Sequence, residues 1–303
     1  MDAEFLKIVR LSEDEAREVI EGIRWANGVY CPKCGSLKGA WKLESKPNSK
    51  NKVRPGLYKC KDCRKTFTVT VGSIFEDSHI PLTKWLAALY LMCASNKGMS
   101  AHQLHRQLKV TYKTAWFMAH RIRLAMKEGP LATKLSGTVE VDETYIGGRR
   151  RGKRGRGSEN KTPVVALVQR GGQLRAQKIS RLTAGDLKSV IREHVGQEAH
   201  LRTDDFLAYR GLDKEFASHE TVAHGKKEYV RGDVNTNTLE GWFSLLKRGV
   251  NGTFHHVSEI HLDRYIDEFA FRYNQRHVTD GQRTFAAIKS AEGKRLIYKE
   301  TTK

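Results

Sequence analysis

Two Cys-x-x-Cys pairs, Cys31-Pro-Lys-Cys34 and Cys60-Lys-Asp-Cys63, are separated by 25 residues near the start of the chain. Each pair sets two sulfurs on one side of a tight turn. Two such turns facing each other make a tetrahedral four-sulfur site suited to structural zinc. Four thiolates leave no open coordination position, so the site staples the fold and does no chemistry. Gly35, directly after the first pair, is the residue such a turn uses. Disulfides are the competing use of these thiols. The N-terminus is charged throughout and has no secretory pattern, so the expected compartment is the reducing cytoplasm, at the nucleoid. Cys93 lies alone in an apolar run and reads as a core residue. The alternating Lys65-Thr-Phe-Thr-Val-Thr-Val71 closes a ribbon over residues 28–78, behind a helical segment, 1–27, in which Ser12 and Glu15 fit a capping box.

Charge narrows the partners. The 303 residues include 54 Lys and Arg against 34 Asp and Glu, a formal net charge of +20. Such a field attracts polyanions, and nucleic acid is the commonest of these in a cell. A membrane partner is not expected, because the basic residues spread over the whole length and do not line one amphipathic helix. The longest apolar stretch, Trp85 to Ala94, is also far short of the roughly 20 residues a span requires.

Residues 79–130 carry helical periodicity in three pieces: Leu82 to Asn96, then Ala101 to Leu108 capped by Ser100, then Tyr112 to Lys127 after a turn at Val110-Thr111. The last helix bears Lys113, Arg121, Arg123 and Lys127. A short helix, a tight turn and a longer basic helix make a helix-turn-helix that reads the DNA major groove, although a plain three-helix bundle has the same pattern. The lysine-rich ribbon beside it serves either DNA or protein contacts.

Residues 131–285 alternate strand-like runs with a helix over Ala184 to Val195 and end in two helices, leaving 286–303 as a tail. In Thr138-Val-Glu-Val-Asp-Glu-Thr-Tyr-Ile146, alternation puts Val139 and Val141 on one face and Glu140 and Asp142 on the other, with Glu143 turned away from Asp142. Asp204 ends the run from Ala199, and Glu240 sits on a helix from Thr238 to Lys247. Three carboxylates converging at the edge of a mixed sheet suit two-metal phosphoryl transfer on Mg2+. Composition alone does not choose these three among the 34 acidic residues. Gly147 to Lys161 is a basic glycine-rich loop, and its superficial match to a phosphate-binding loop lacks the helix that should follow.

The choice of carboxylates comes from resemblance. The segments Val141-Asp-Glu-Thr-Tyr-Ile-Gly147, Thr203-Asp-Asp-Phe-Leu-Ala-Tyr209 and Asn237-Thr-Leu-Glu-Gly-Trp-Phe-Ser-Leu-Leu-Lys-Arg248 resemble the DDE transposases of bacterial insertion sequences with an N-terminal zinc ribbon, the IS1595 family. Gly252-Thr-Phe-His-His-Val-Ser258 and the run from Leu262 to Asn274 extend the likeness, which spans about Gly28 to Arg276. It implies an α+β multidomain chain with a zinc ribbon, a helix-turn-helix and an RNase-H-like catalytic domain. It further implies Asp142, Asp204 and Glu240 as Mg2+ ligands, and strand cleavage and strand transfer at the terminal repeats of a mobile element. The partners so implied are double-stranded DNA, at the element ends and at the target, and further copies of the chain. Lys247, two helical turns beyond Glu240, falls on the same face, where it either neutralises a phosphate or is a solvated lysine. A non-catalytic DNA-binding regulator and an RNase-H-like nuclease are the rival readings.

Overall fold

The computed structural model describes residues 3–46, 50, 52–129, 133–147, 161–222 and 235–301. The basic run 148–160, with Arg149 to Arg156, and His224 lie outside the described residues. The chain forms two compact units, one of residues 1–127 with 278–303 and one of residues 128–277.

In the first unit α1 (Ala3–Arg10) and α2 (Glu13–Arg24) are separated by Ser12, whose side chain accepts from the Glu15 N–H while Glu15 returns the bond. A three-stranded antiparallel sheet follows: β1 (Ala40–Lys42), β2 (Tyr58–Cys60) and β3 (Thr66–Phe67). Trp25, Tyr58 and Phe67 pack edge-on or stacked between α2 and this sheet. The helix α3 (Leu82–Ala94) is apolar nearly all round, and accordingly it is buried by α1, α2, α4 (Ala101–Leu108), α5 (Tyr112–Met126) and α9 (Asp280–Lys289). Ser100 caps α4 (Ala101–Leu108) and Thr111 caps α5 (Tyr112–Met126), each by accepting an N–H of the first turn.

Two expectations are corrected here. Arg121 and Arg123 on α5 are buried and do not line a groove-facing surface. Arg121 donates to the backbone carbonyls of Ile74 and Leu296 at 2.9 and 3.1 Å. The segment beyond residue 285 is not a tail either. It continues α9 (Asp280–Lys289), and 278–303 folds into the first unit. Arg283 holds it there by donating to the Cys93 carbonyl at the end of α3, at 2.9 Å.

The second unit is built on a mixed five-stranded sheet in the order β6-β5-β4-β7-β8. The strands β4 (Thr138–Ile146), β5 (Thr162–Gln169) and β6 (Leu174–Lys178) form an antiparallel meander. β7 (His200–Asp204) joins β4 in parallel, and β8 (Ser218–Val222) joins β7 in parallel. Val164 to Val168 have no exposed surface, as a strand covered on both faces requires. One core layer, with Val139, Val141, Val165, Leu187, Ile191 and Leu201, lies under α6 (Ala184–His194). The other, with Ile146, Val164, Val168, Trp242, Leu246, Ile266 and Phe269, lies under α7 (Asn237–Arg248) and α8 (Leu262–Asn274).

Candidate active site and metal centre

The four knuckle cysteines form the metal-competent cluster of the first unit, with one ligand atom from each lying within 4.8 Å of all the others. Both knuckles turn through the left-handed region just after their second cysteine, at Gly35 (φ 72°) and at Arg64 (φ 60°). Cys31 Sγ and Cys63 Sγ are 3.7 Å apart, as are Cys34 Sγ and Cys60 Sγ. A tetrahedron with zinc–sulfur bonds of about 2.3 Å has sulfur–sulfur edges of about 3.8 Å, so the cluster has the size and donor chemistry of structural zinc. Burial raises the Cys60 thiol, but the backbone N–H groups of Cys63 and Asp62 and the thiols of Cys63 and Cys34 outweigh it and bring the group down to about 7.

In the second unit the strand register brings two acids to the same end of neighbouring strands. Glu140 of β4 pairs with Arg202 of the parallel β7. That is the last pair of the two strands, and Asp142 and Asp204 each stand two residues beyond it. Asp142 lines a cavity of about 670 Å3 whose wall is one face of α7: Glu240, Phe243, Ser244, Lys247 and Arg248. The π-helical turn Gly249–Thr253 follows α7 and adds Asn251 and Gly252 to that wall. Asp204 is not among the lining residues, yet its charge reaches Asp142. Burial acts first on Asp142, then the charge of Glu143. Those of Asp204 and Glu240 add to these, and against a 2.7 Å bond from the Glu143 N–H they push the carboxyl up to about 7. Such an acid is short of positive charge, and hard carboxylate oxygens are the donors Mg2+ prefers. Among the described residues only the cysteines make a cluster of three or more ligand atoms within 4.8 Å, so the three carboxylates do not close to that distance.

Glu143 lies on the opposite face of β4, as alternation expects. Its Oε2 accepts from the Tyr209 hydroxyl at 2.7 Å. Burial, and after it the Glu143 charge, hold the Tyr209 phenol well above its ordinary range, so it serves as a fixed donor. This bond ties β4 to the segment that follows Asp204. His219 accepts or donates at 2.9 Å with the Thr203 hydroxyl and is otherwise part of the sheet edge. Sequence reasoning did not single out Tyr209, and it gave Glu140 no role beyond sharing a face with Asp142.

Residues 134–274 match the ISXO2-like transposase domain, and residues 11–66 match the transposase zinc-ribbon domain of the same family, IS1595. The chain is 33% identical over 285 residues to a Halobacterium salinarum protein known as an uncharacterized protein in transposable element ISH50. That alignment covers 86% of this chain and 91% of the relative. A chain in a cryo-electron microscopy structure of the simian T-cell lymphotropic virus intasome with PP2A regulatory subunit B56 gamma aligns at 15% identity and a TM-score of 0.31, covering 59% of this chain and 69% of that one. Among the described residues no helix is long and apolar enough to cross a membrane. With its four-cysteine ribbon, mixed sheet and near full-length relative, this chain belongs to the IS1595 family of ISXO2-like DDE transposases with an N-terminal zinc ribbon.

Proposed function

We propose that the chain is a transposase that binds the ends of its element and carries out metal-dependent strand cleavage and strand transfer on double-stranded DNA. The observation that carries this is the cavity in which Asp142 and Glu240 face each other beside Lys247, in the segment matching the transposase domain. The antiparallel meander followed by two parallel strands, with helices on both faces, supports an RNase-H-like domain. Asp142, Asp204 and Glu240 would hold Mg2+, which would supply charge stabilisation to the attacking and leaving oxygens of a phosphodiester. Lys247 and Arg248, about two turns beyond Glu240 along the same wall, receive the anionic backbone of the bound strand. The ribbon and the α4–α5 pair provide end recognition, with Tyr112 and Lys113 at the exposed start of α5. Joining two ends to a target requires more than one copy of the chain.

The test is strand transfer with Mg2+ on DNA carrying the flanking repeat ends, comparing wild type with Asp142→Ala. Wild type should cleave and join, and the variant should bind the ends without joining. Binding with no cleavage by wild type would make the chain a regulator. Cleavage without joining would make it a nuclease.

A further inference from the structure

Glu140 is a carboxylate with no exposed surface, and the chemistry proposed for the cavity does not use it. A carboxylate buried so fully is costly unless it is paired and hydrogen-bonded. Glu140 is both. Its Oε1 accepts from Arg170 Nε at 2.9 Å and from the Thr238 hydroxyl at 2.9 Å. Its Oε2 accepts from the backbone N–H groups of Thr238 at 3.1 Å and Leu239 at 3.4 Å. Arg170 Nη2 donates in turn to the Asn235 carbonyl at 3.1 Å.

These partners are the opening residues of α7 and the segment just before it. The first amides of a helix have no acceptor within the helix and carry the positive end of its dipole. Thr236, at the cap position, makes no side-chain capping bond. The cap comes instead from a strand on the facing sheet. Glu140 precedes Asp142 by two residues on one face of β4, and Thr238 precedes Glu240 by two residues on α7. Three of the four bonds thus pin β4 to α7 within two residues of each candidate ligand, and Arg170 supplies the fourth.

We infer that Glu140, backed by Arg170, is a positioning residue: it sets the height and rotation of α7 so that Glu240 faces Asp142 across the cavity. This rests on the reading of Asp142 and Glu240 as a metal-holding pair. A residue serving stability alone would change the melting temperature and leave metal affinity untouched.

The experiment uses the full chain, with Mn2+ as the probe, and compares wild type, Glu140→Gln and Thr238→Val. Calorimetric titration reads Mn2+ affinity, with Asp142→Ala as the blank that separates the zinc ribbon. Amide hydrogen exchange reads the protection of Thr238 and Leu239. Glu140→Gln should weaken Mn2+ binding by roughly tenfold, the low end for a direct partner of a metal ligand because Glu140 bonds to the α7 backbone and to neither ligand, and should speed exchange at both amides. Thr238→Val deletes one of the four bonds and should move both readouts the same way by less. Either variant, folded, with wild-type affinity and wild-type exchange overturns the inference. If Glu140→Gln does not fold, Thr238→Val decides by the same two readouts. If wild type takes up no Mn2+ at the Asp142-dependent site, the proposed function fails, and amide exchange then decides separately whether Glu140 pins α7.

Discussion

Replacing Asp142 with asparagine should stabilise the protein in buffer without added divalent metal while abolishing strand transfer. The carboxyl is pushed from an ordinary value of 3.8 up to about 7, by burial first and by the charges of Glu143, Asp204 and Glu240. The folded state therefore holds the proton more tightly than the unfolded chain. For an acid shifted this way, stability is full below the unfolded value and falls as pH rises through the folded one. A difference of roughly three units is a penalty of about 4 kcal/mol once the group is ionised. Asparagine keeps the bond from the Glu143 N–H but still buries an amide, so we take about 2 kcal/mol as the net gain. For a protein of this size that is a rise of roughly 4–8 °C in melting temperature. Calorimetric melting at pH 8 and pH 5 checks it, because at pH 5 less than half of the penalty operates, on the order of 1.7 of 4 kcal/mol. Adding Mg2+ at a hundred times its Kd should reverse the ranking, raising wild type by about 2.7 kcal/mol and leaving the variant unmoved. An equal gain at both pH values, or no gain at pH 8, would refute the crowding of like charges around Asp142.

The other expectations concern the second tie to β4 and the ribbon. Tyr209→Phe removes the donor to Glu143 from a buried position and should cost about 1–3 kcal/mol in chemical denaturation. It should also weaken Mn2+ binding, and an unchanged affinity would confine Tyr209 to stability. Cys60→Ser takes one of four sulfurs from the ribbon, so zinc measured by atomic emission should fall from about one per chain toward zero, with loss of amide protection across β1 to β3. Full zinc content in that variant would exclude the four-sulfur site.

What could be read in the sequence was whatever a local period or spacing encodes. The knuckles were legible because Cys-x-x-Cys constrains its own turn, and Ser12 and Ser100 cap the helices their spacing announces. β4 was legible to the residue, since its alternation separates Val139 and Val141 from Glu140 and Asp142. What escaped was non-local. Arg121 and Arg123 count as positive charge in any tally, yet the carbonyls that occupy Arg121 lie 47 and 175 residues away. The return of 278–303 to the first unit depends on Arg283 reaching Cys93, 190 residues back, which no period signals. That Asp142 and Asp204 stand at the same end of β4 and β7 is likewise a matter of strand pairing, and only resemblance suggested it beforehand.

The acids of β4 show where local reading stops. Glu140, Asp142 and Glu143 lie within four residues of one strand, and pleating alone divides them between two faces. It does not separate the first two, which share a face. That difference is made by elements distant in sequence: Arg170 and the start of α7 close around Glu140, whereas α7 opens a cavity in front of Asp142. Glu143, on the other face, meets Tyr209. A strand this acidic is tolerable inside a sheet because Glu140 and Glu143 each meet a donor from another part of the chain. Those two donors come from the elements that carry Glu240 and follow Asp204. The partners that make the buried charge bearable are therefore also the ones that fix where the other two carboxylates stand, and a substitution that relieves one without regard to the other should loosen the cavity even where it raises stability.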